Sequence, residues 1–316
     1  MRYVLPLSHR WVRPYVGFLW VTVCVVQSVL GGNVETQPIK PKKDFTILSW
    51  NLCNYNLCDR MVDGRFRQGY PKPEHEKEAI RTVVLRLRPD VWLVQEIGGM
   101  PFMRELADDL RKEALDYPYL YVEPGSDPDR MLGVFSLVPF RIPPSGDGPN
   151  TVCGPLLDVK RGLLRVVLEV GGRKLILASF HLKSRYTTDP EDPNGARQRE
   201  TEARRIRDAL AHDARRYPDA AVLAMGDLND YATSAPFQRF VLRNRSELFR
   251  ELPVSDSVGE QWTYKNIKKR VYEQVDFTFF LSYSADIREW RSTSGIVDGP
   301  EVEIGSDHRP IFVVFR

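Results

Sequence analysis

The sequence predicts a layered α/β protein in which two stacked β-sheets are flanked by helices. Short apolar runs rich in β-branched and aromatic residues recur along the chain, each of strand length. Three longer stretches place apolar residues at helical spacing with charge elsewhere. The two kinds of segment are interleaved, and a glycine-glycine hairpin joins two of the strands, so the sheets are mixed rather than purely parallel.

In chain order, "FTILSW" (45–50) reads as a strand, and "EHEKEAIRTVVLRLR" (74–88) as a helix that stops before Pro89. "VWLVQ" (91–95) is the next strand, "FMRELADDLRKEALDY" (102–117) the next helix, and "LGVFSLV" (132–138) a third strand. "LLRVVLEV" (163–170) and "KLILASFHL" (174–182) form the hairpin, turning at Gly171 and Gly172. The helix "ARQRETEARRIRDALAHDARRY" (196–217) puts Ala203, Ile206, Leu210 and Ala214 on one stripe, so it covers a sheet with one face. "AVLAMG" (221–226), "VDFTFFL" (275–281) and "PIFVVF" (310–315) complete the strands.

Ahead of this body, Arg2, Arg10 and Arg13 precede the apolar stretch "YVGFLWVTVCVV" (15–26) and the small residues of "QSVLGG". Residues 1–32 therefore read as an export signal, cleaved after Gly31 or retained as a membrane anchor. The polar, proline-bearing "NVETQPIKPKK" (33–43) is a tether, and 44–316 is one domain without repeats or low-complexity tracts. The predicted location is outside the cytoplasm, secreted or periplasmic, with membrane association only if the N-terminal segment stays on. Removing its three arginines from 45 basic and 42 acidic residues leaves 42 against 42. A formally neutral body argues against gripping many phosphates of a long polyanion. Cys53, Cys58 and Cys153 remain, compatible with a Cys53–Cys58 disulfide or with reduced thiols.

The strands share one feature: each delivers polar residues at its end. Asn51 follows "ILSW", Glu96 follows "VWLVQ", His181 sits in "ASFHLKS", Asp227, Asn229 and Asp230 follow "VLAMG", Asp276 enters "VDFTFF", and Asp307 with His308 precedes "PIFVVF". A single instance is ordinary turn chemistry. Repetition on separate strands points to a built site. Glu96, Asp307 and the oxygens of Asn51, Asp227 and Asn229 form an all-oxygen set for a hard divalent cation, Mg²⁺ first and Mn²⁺ as its substitute, and no thiolate or multi-histidine spacing for structural zinc is present. His308, held by a carboxylate such as Asp276, is a proton-exchanging group, and His181 a donor to an anionic oxygen. Lys183 and Arg185, just after His181, are candidate substrate-phosphate contacts, and Arg309 is assigned to a structural ion pair.

The set "TILSWN", "RPDVWLVQEIG", "ILASFHLKSR", "MGDLND", "VDFTFF" and "SDHRPIFVVF", in this order over residues 44–316, resembles the endonuclease/exonuclease/phosphatase superfamily. The resemblance implies a DNase I-like four-layer αββα sandwich and Mg²⁺-dependent hydrolysis of a phosphate ester. It casts Asn51 and Glu96 as metal-site residues, Asp307 as a metal-side acid, and His181 as the phosphate-binding histidine. Asp227 would polarise the attacking water, Asn229 orient it, and Asp276 and His308 form a carboxylate–imidazole pair.

The expected partner is a phosphate-ester substrate, nucleic acid among the candidates, with no obligate protein partner evident. His181 and the absence of an acid at Cys53 disfavour the abasic-endonuclease branch. No apolar insertion of the membrane-docking kind found in sphingomyelinases stands out in the sequence. The leading expectation is a nuclease-like or general phosphodiesterase. An inositol phosphatase-like or sphingomyelinase-like hydrolase, and a noncatalytic binding protein on the same fold, are the alternatives. The basic "KNIKKR" (265–270), flanked by Trp262 and Tyr264, reads either as a substrate grip or as a solvated hairpin loop.

Overall fold

A computed structural model describes residues 2–3, 44–143, 159–266, 269–283 and 292–316. Nearly all of the segment 1–32 expected to serve export, the 33–43 stretch expected to be a tether, Cys153 and Lys268 lie outside them. Among the described residues no helix is long and apolar enough to cross a membrane.

Two mixed sheets form the centre. One runs Ser292–Ile296, Ile311–Phe315, Phe45–Tyr55, Val91–Ile97, Met131–Ser136, Tyr119–Glu123. The other runs Arg2–Tyr3, Phe140–Ile142, Leu163–Val170, Arg173–His181, Ala220–Asp227, Asp276–Leu281, Phe249–Glu251. Each contains one parallel pair joined through a helix: Glu74–Leu87 links Phe45–Tyr55 to Val91–Ile97, and Ala196–Arg216 links Arg173–His181 to Ala220–Asp227.

Strand alternation sorts side chains into three cores. Ile47, Leu93, Leu175, Leu177 and Leu223 meet between the sheets. Their neighbours Leu48, Trp92 and Val94 face the helices Glu74–Leu87 and Met100–Lys112, meeting Val83 and Leu106. Ile176, Ala178, Val222 and Ala224 face Ala196–Arg216 on the opposite side, with Ile206 and Leu210. This is a four-layer αββα sandwich. Each fully buried Leu, Ile or Phe contributes about 1.5–3 kcal/mol, and because successive side chains alternate, the central strands are apolar on both faces.

The structure departs from the sequence expectation in places. The second helix, expected over 102–117, ends at Lys112: Ala114 takes φ 62° and the Leu115 amide returns to the Leu110 carbonyl. Leu115 and Tyr117 are apolar because the chain beyond the helix is itself buried, with the Tyr117 hydroxyl donating to the Pro89 carbonyl at 2.9 Å. The hairpin Leu57–Val62/Arg65–Pro71, the edge strand Tyr119–Glu123 and the short helices Ala235–Val241 and Pro300–Gly305 were not anticipated. That hairpin turns on Asp63 and Gly64, both at positive φ, which suits a two-residue turn. Its strands bury little, and their apolar residues Leu57, Met61 and Phe66 stand exposed among charged ones. Cys53 and Cys58 are free thiols.

Gly226 closes the parallel pair ahead of Asp227: a Cβ there would lie 2.0 Å from the Phe180 carbonyl oxygen. Gly226→Ala should cost about 3 kcal/mol or more in chemical denaturation, because backbone cannot yield as a flexible side chain does.

Candidate active site

The two parallel pairs end on the same side of the sandwich, which is why residues far apart in sequence converge. Asn51 and Gln95 pair across one sheet, with Glu96 next, and His181 pairs with Asp227 across the other. The antiparallel neighbour adds Asp276 directly opposite Asp227. The approach to Ile311–Phe315 adds Asp307 and His308. Beneath them Gln95 donates to Ser49 Oγ at 3.1 Å and to Ser179 Oγ at 2.9 Å, bridging the sheets.

Here the chain leaves ideal strand geometry. Glu96 sits at φ 62° where its strand slips register, Cys53 and Asn54 lie at 49° and 56°, and Asn229 at 55°. A left-handed Glu costs on the order of 1–3 kcal/mol, held only by its surroundings. The Asn54 amide supplies part of that, donating to Glu96 Oε2 at 2.8 Å.

Asp227 is the hub. Its carboxylate accepts from the Asn229 amide N–H at 2.7 Å and from Asn51 Nδ2 at 3.1 Å, and its Oδ2 lies 3.2 Å from His181 Nε2 and 3.9 Å from His308 Nε2. His181 Nε2 is also 3.8 Å from Glu96 Oε1. His308 Nδ1 lies 2.9 Å from Asp276 Oδ2. The backbone around His308 is fixed: Trp50 Nε1 donates to its carbonyl at 2.8 Å, and its amide donates to Ser306 Oγ at 3.0 Å, while that hydroxyl donates to the Asn51 carbonyl at 2.7 Å.

Burial alone would push Asp227 upward, but the His181 and His308 imidazoles and the Asn229 N–H outweigh it and hold the carboxyl well below its usual range. Burial works against charge on His308, yet Asp276 and Asp227 raise it to about 10. Burial pushes Asp276 above its ordinary value and Asp227 adds to this, against the pull of His308. The Cys53 thiol is raised by burial, with Asp307 and Glu96 adding, so it stays neutral and is no nucleophile.

These residues line a cavity of about 810 Å³. Asn51, Glu96, His181, Asp227, Asn229, Asp307 and His308 face it, and Asp276 lies behind His308. The structure does not bring Lys183 to it: the Lys183 Nζ donates to the carbonyls of Ser184, at 3.0 Å, and Tyr186. Arg185 reaches the rim, but Glu273 takes its guanidinium in a two-pronged contact and the Tyr231 hydroxyl accepts from it at 2.6 Å. Neighbouring oxygen acceptors satisfy both cations. Of the basic run 265–270, Lys265 pairs with Glu303 at 2.7 Å and Lys269 lines the cavity. Arg309 turns away to Asp256 at 2.6 Å and stacks on Trp262. Sequence reading missed Asn54 and Tyr231 in the lining, whereas Asp230, read as a strand-end acid, is held there by Arg199 in a buried pair. Tyr264 had been seen only as a flank of the basic run, whereas its ring packs 4.9 Å from that of His308.

Asp227, Asp276 and His308 bring ligand atoms within 4.8 Å of one another. The two carboxylates favour charge on His308, and a protonated imidazole has no lone pair to offer a cation. The donors that fit a hard cation are the partly exposed Glu96 carboxylate, Asp307 and the Asn51 oxygen, whose second lone pair remains after accepting from the Cys53 amide at 3.0 Å. Beside them the Asn54 Oδ1 is buried with no partner, as an outer oxygen of a hydrated ion site would be.

Fold and site together define a class, the nuclease-like phosphoester hydrolases. The chain belongs to the endonuclease/exonuclease/phosphatase family, whose sequence profile matches residues 48–308. Similar solved structures include humanized D. rerio TDP2, at 17% identity over 86% of this chain and 99% of that one, with a TM-score of 0.56. The human Nocturnin catalytic domain with bound sulfate anion is similar at 16% identity over 86% and 93%, with a TM-score of 0.56. An endonuclease/exonuclease/phosphatase from Bacteroides vulgatus is similar at 14% identity over 87% and 99%, with a TM-score of 0.56. At these identities the likeness is one of fold. No curated protein matches the sequence.

In metal-free protein His308 should keep both ring protons at pH 8, seen in the nitrogen shifts of its imidazole; a ring titrating near 6.5 would contradict the geometry. A raised folded-state value means that its stabilisation is complete below about pH 6.5 and is lost as pH climbs through about 10.

Proposed function

We propose that the chain is an exported, Mg²⁺-dependent hydrolase that cleaves a phosphodiester by attack of water. One observation carries the reading: Asp227 and the Asp276–His308 pair converge with His181 and Glu96 on a single cavity wall. Glu96, Asp307 and Asn51 would hold the metal, which supplies Lewis-acid stabilisation of charge on phosphoryl oxygens. Asp227, held ionised, accepts the hydrogen bond of the attacking water and polarises it, and Asn229 fixes that carboxylate. The His308 imidazolium, steadied by Asp276, faces the phosphoryl oxygens with His181, and both donate to the charge that builds there. No covalent enzyme intermediate is required.

A D. rerio TDP2 of this fold has been solved with a single strand DNA product, which supports including nucleic acid among the substrates. Aromatic and cationic groups at the rim, Tyr186, Tyr231 and Lys269, suit bases and phosphates. Export rests on residues 1–32, and N-terminal sequencing of protein from the producing cell tests it, a mature start near Gly32 being expected.

On bis-para-nitrophenyl phosphate, plasmid DNA and RNA, turnover should need Mg²⁺ or Mn²⁺ and vanish in EDTA. Glu96→Gln and His308→Ala should each lower kcat/KM at least about a hundredfold. Full activity of His308→Ala, or turnover indifferent to metal, would sink the assignment.

A second reading, hydrolysis of phospholipid diesters, is favoured by the unanticipated hairpin, where Leu57, Met61 and Phe66 are 55%, 64% and 66% exposed. Met61 and Phe66 sit directly opposite one another and so share a face. On that reading, replacing both by serine should reduce cosedimentation with phosphatidylcholine–phosphatidylserine vesicles and turnover of their lipid, leaving the soluble diester untouched.

A further inference from the structure

The turn that follows Asn51 is built from an excess of chain. Between the Asn51–Gln95 and Tyr55–Ile97 pairs, residues 52–54 on one strand stand against Glu96 alone on the other. The excess is absorbed by Cys53 and Asn54, at φ 49° and 56°, a left-handed conformation that two consecutive residues with side chains rarely share. The amides of this turn serve ligand side chains: Cys53 N–H donates to Asn51 Oδ1 at 3.0 Å, and Asn54 N–H to Glu96 Oε2 at 2.8 Å. Its carbonyls each meet a cation. Lys72 Nζ donates to the Cys53 carbonyl at 3.2 Å, and Arg60 Nη2 to the carbonyls of Asn54 at 2.9 Å and Asn56 at 3.1 Å. Both cations come from the hairpin Leu57–Val62/Arg65–Pro71. Arg60 lies on its first strand, and its Nε donates to the Tyr70 carbonyl on the second at 3.1 Å. Lys72 follows Pro71, is 2% exposed and pairs with Glu76 at 2.8 Å. Neither cation lines the main cavity, so neither is placed to meet substrate there.

Resting on the metal-dependent reading, we infer that the hairpin is a brace for the metal site and that Arg60 and Lys72 are its positioning residues, fixing the Cys53–Asn54 turn so that its two amides aim Asn51 Oδ1 and the Glu96 carboxylate at one cation. Hydrogen bonds from a cation to a carbonyl are stronger than neutral ones, and here they fall on the peptide groups whose strained backbone most needs holding. Ligands oriented before the ion arrives need not be ordered by it, so the brace strengthens metal binding without touching the metal. The sign of the effect separates this role from plain electrostatics. A positive side chain repels a nearby divalent cation, so by charge alone the loss of Arg60 would tighten metal binding. The loss of a brace weakens it.

The test is a titration of metal-free protein with Mn²⁺, followed by the electron paramagnetic resonance of the free ion, which reads affinity without turnover. Arg60→Met should raise the Mn²⁺ Kd about tenfold or more. Arg67→Met, which removes the guanidinium directly opposite Arg60 in the same hairpin, should leave Kd at the wild-type value. Turnover of bis-para-nitrophenyl phosphate by Arg60→Met should be low at limiting Mg²⁺ and near wild type at saturating Mg²⁺. A Kd unchanged or lowered in Arg60→Met, an equal loss in Arg67→Met, or turnover that saturating Mg²⁺ does not restore would each overturn the inference. Should Arg60→Met fail to fold, as judged by thermal melting, Arg60→Lys keeps the charge, loses the fork that spans three carbonyls, and carries the same expectation. A wild type that binds no Mn²⁺ overturns the metal-dependent reading and this inference with it, whereas a wild type that binds Mn²⁺ beside an unaffected Arg60→Met strikes only the inference.

Discussion

The site depends on one buried carboxylate. Asp227 is 1% exposed and sits on the last residue of a wholly buried strand, opposite Asp276 and beside His181. An isolated charge in that position would neutralise rather than persist. It stays ionised because two imidazoles, two carboxamides and a backbone amide all aim at it, from His181, His308, Asn51 and Asn229 at separate strand ends and turns. The sandwich brings those ends together. Hydrophobic burial between and outside the sheets provides the rigidity that lets so many polar groups be held at one point.

That rigidity also offsets local cost. Glu96, Cys53, Asn54 and Asn229 all hold positive φ within one small region, a density of strained residues that ordinary turns do not need. Register slips at Asn51/Tyr55 and Gln95/Ile97 place this strain just where the parallel pair opens into the cavity. The slips turn strand residues, whose side chains would otherwise alternate between faces, into a set that converges. Asp276 and His308 form a second buried polar unit behind the first, and Thr263, Trp50 and Ser306 satisfy its backbone groups.

Much of the sandwich was legible in the sequence because buried strands announce themselves. The runs beginning at Phe45, Val91, Leu163, Lys174, Ala221 and Val275 are apolar on both faces, since each lies between a sheet and a layer of helices. Strand-end polarity picked out Asn51, Glu96, His181, Asp227, Asn229, Asp307 and His308, all of which meet at one cavity. The projecting hairpin at 57–71 was invisible because its strands bury almost nothing, so no apolar alternation marked it. Lys183 looked well placed from its neighbours in sequence, but the direction of its side chain follows from carbonyls that fold back on it, Ser184 and Tyr186.

Sequence by itself determined the kinds of element, the layer each apolar face must seek, and the identity of the groups that end the strands, because period and residue type are local properties. Only the tertiary structure decided which of those groups touch. It joined Asp276 to His308 and to Thr263, committed Arg185 to Glu273 and Arg309 to Asp256, and left Glu96 facing the cavity. Contacts between residues tens or hundreds of positions apart depend on strand order, register and bulges, and no local pattern encodes these.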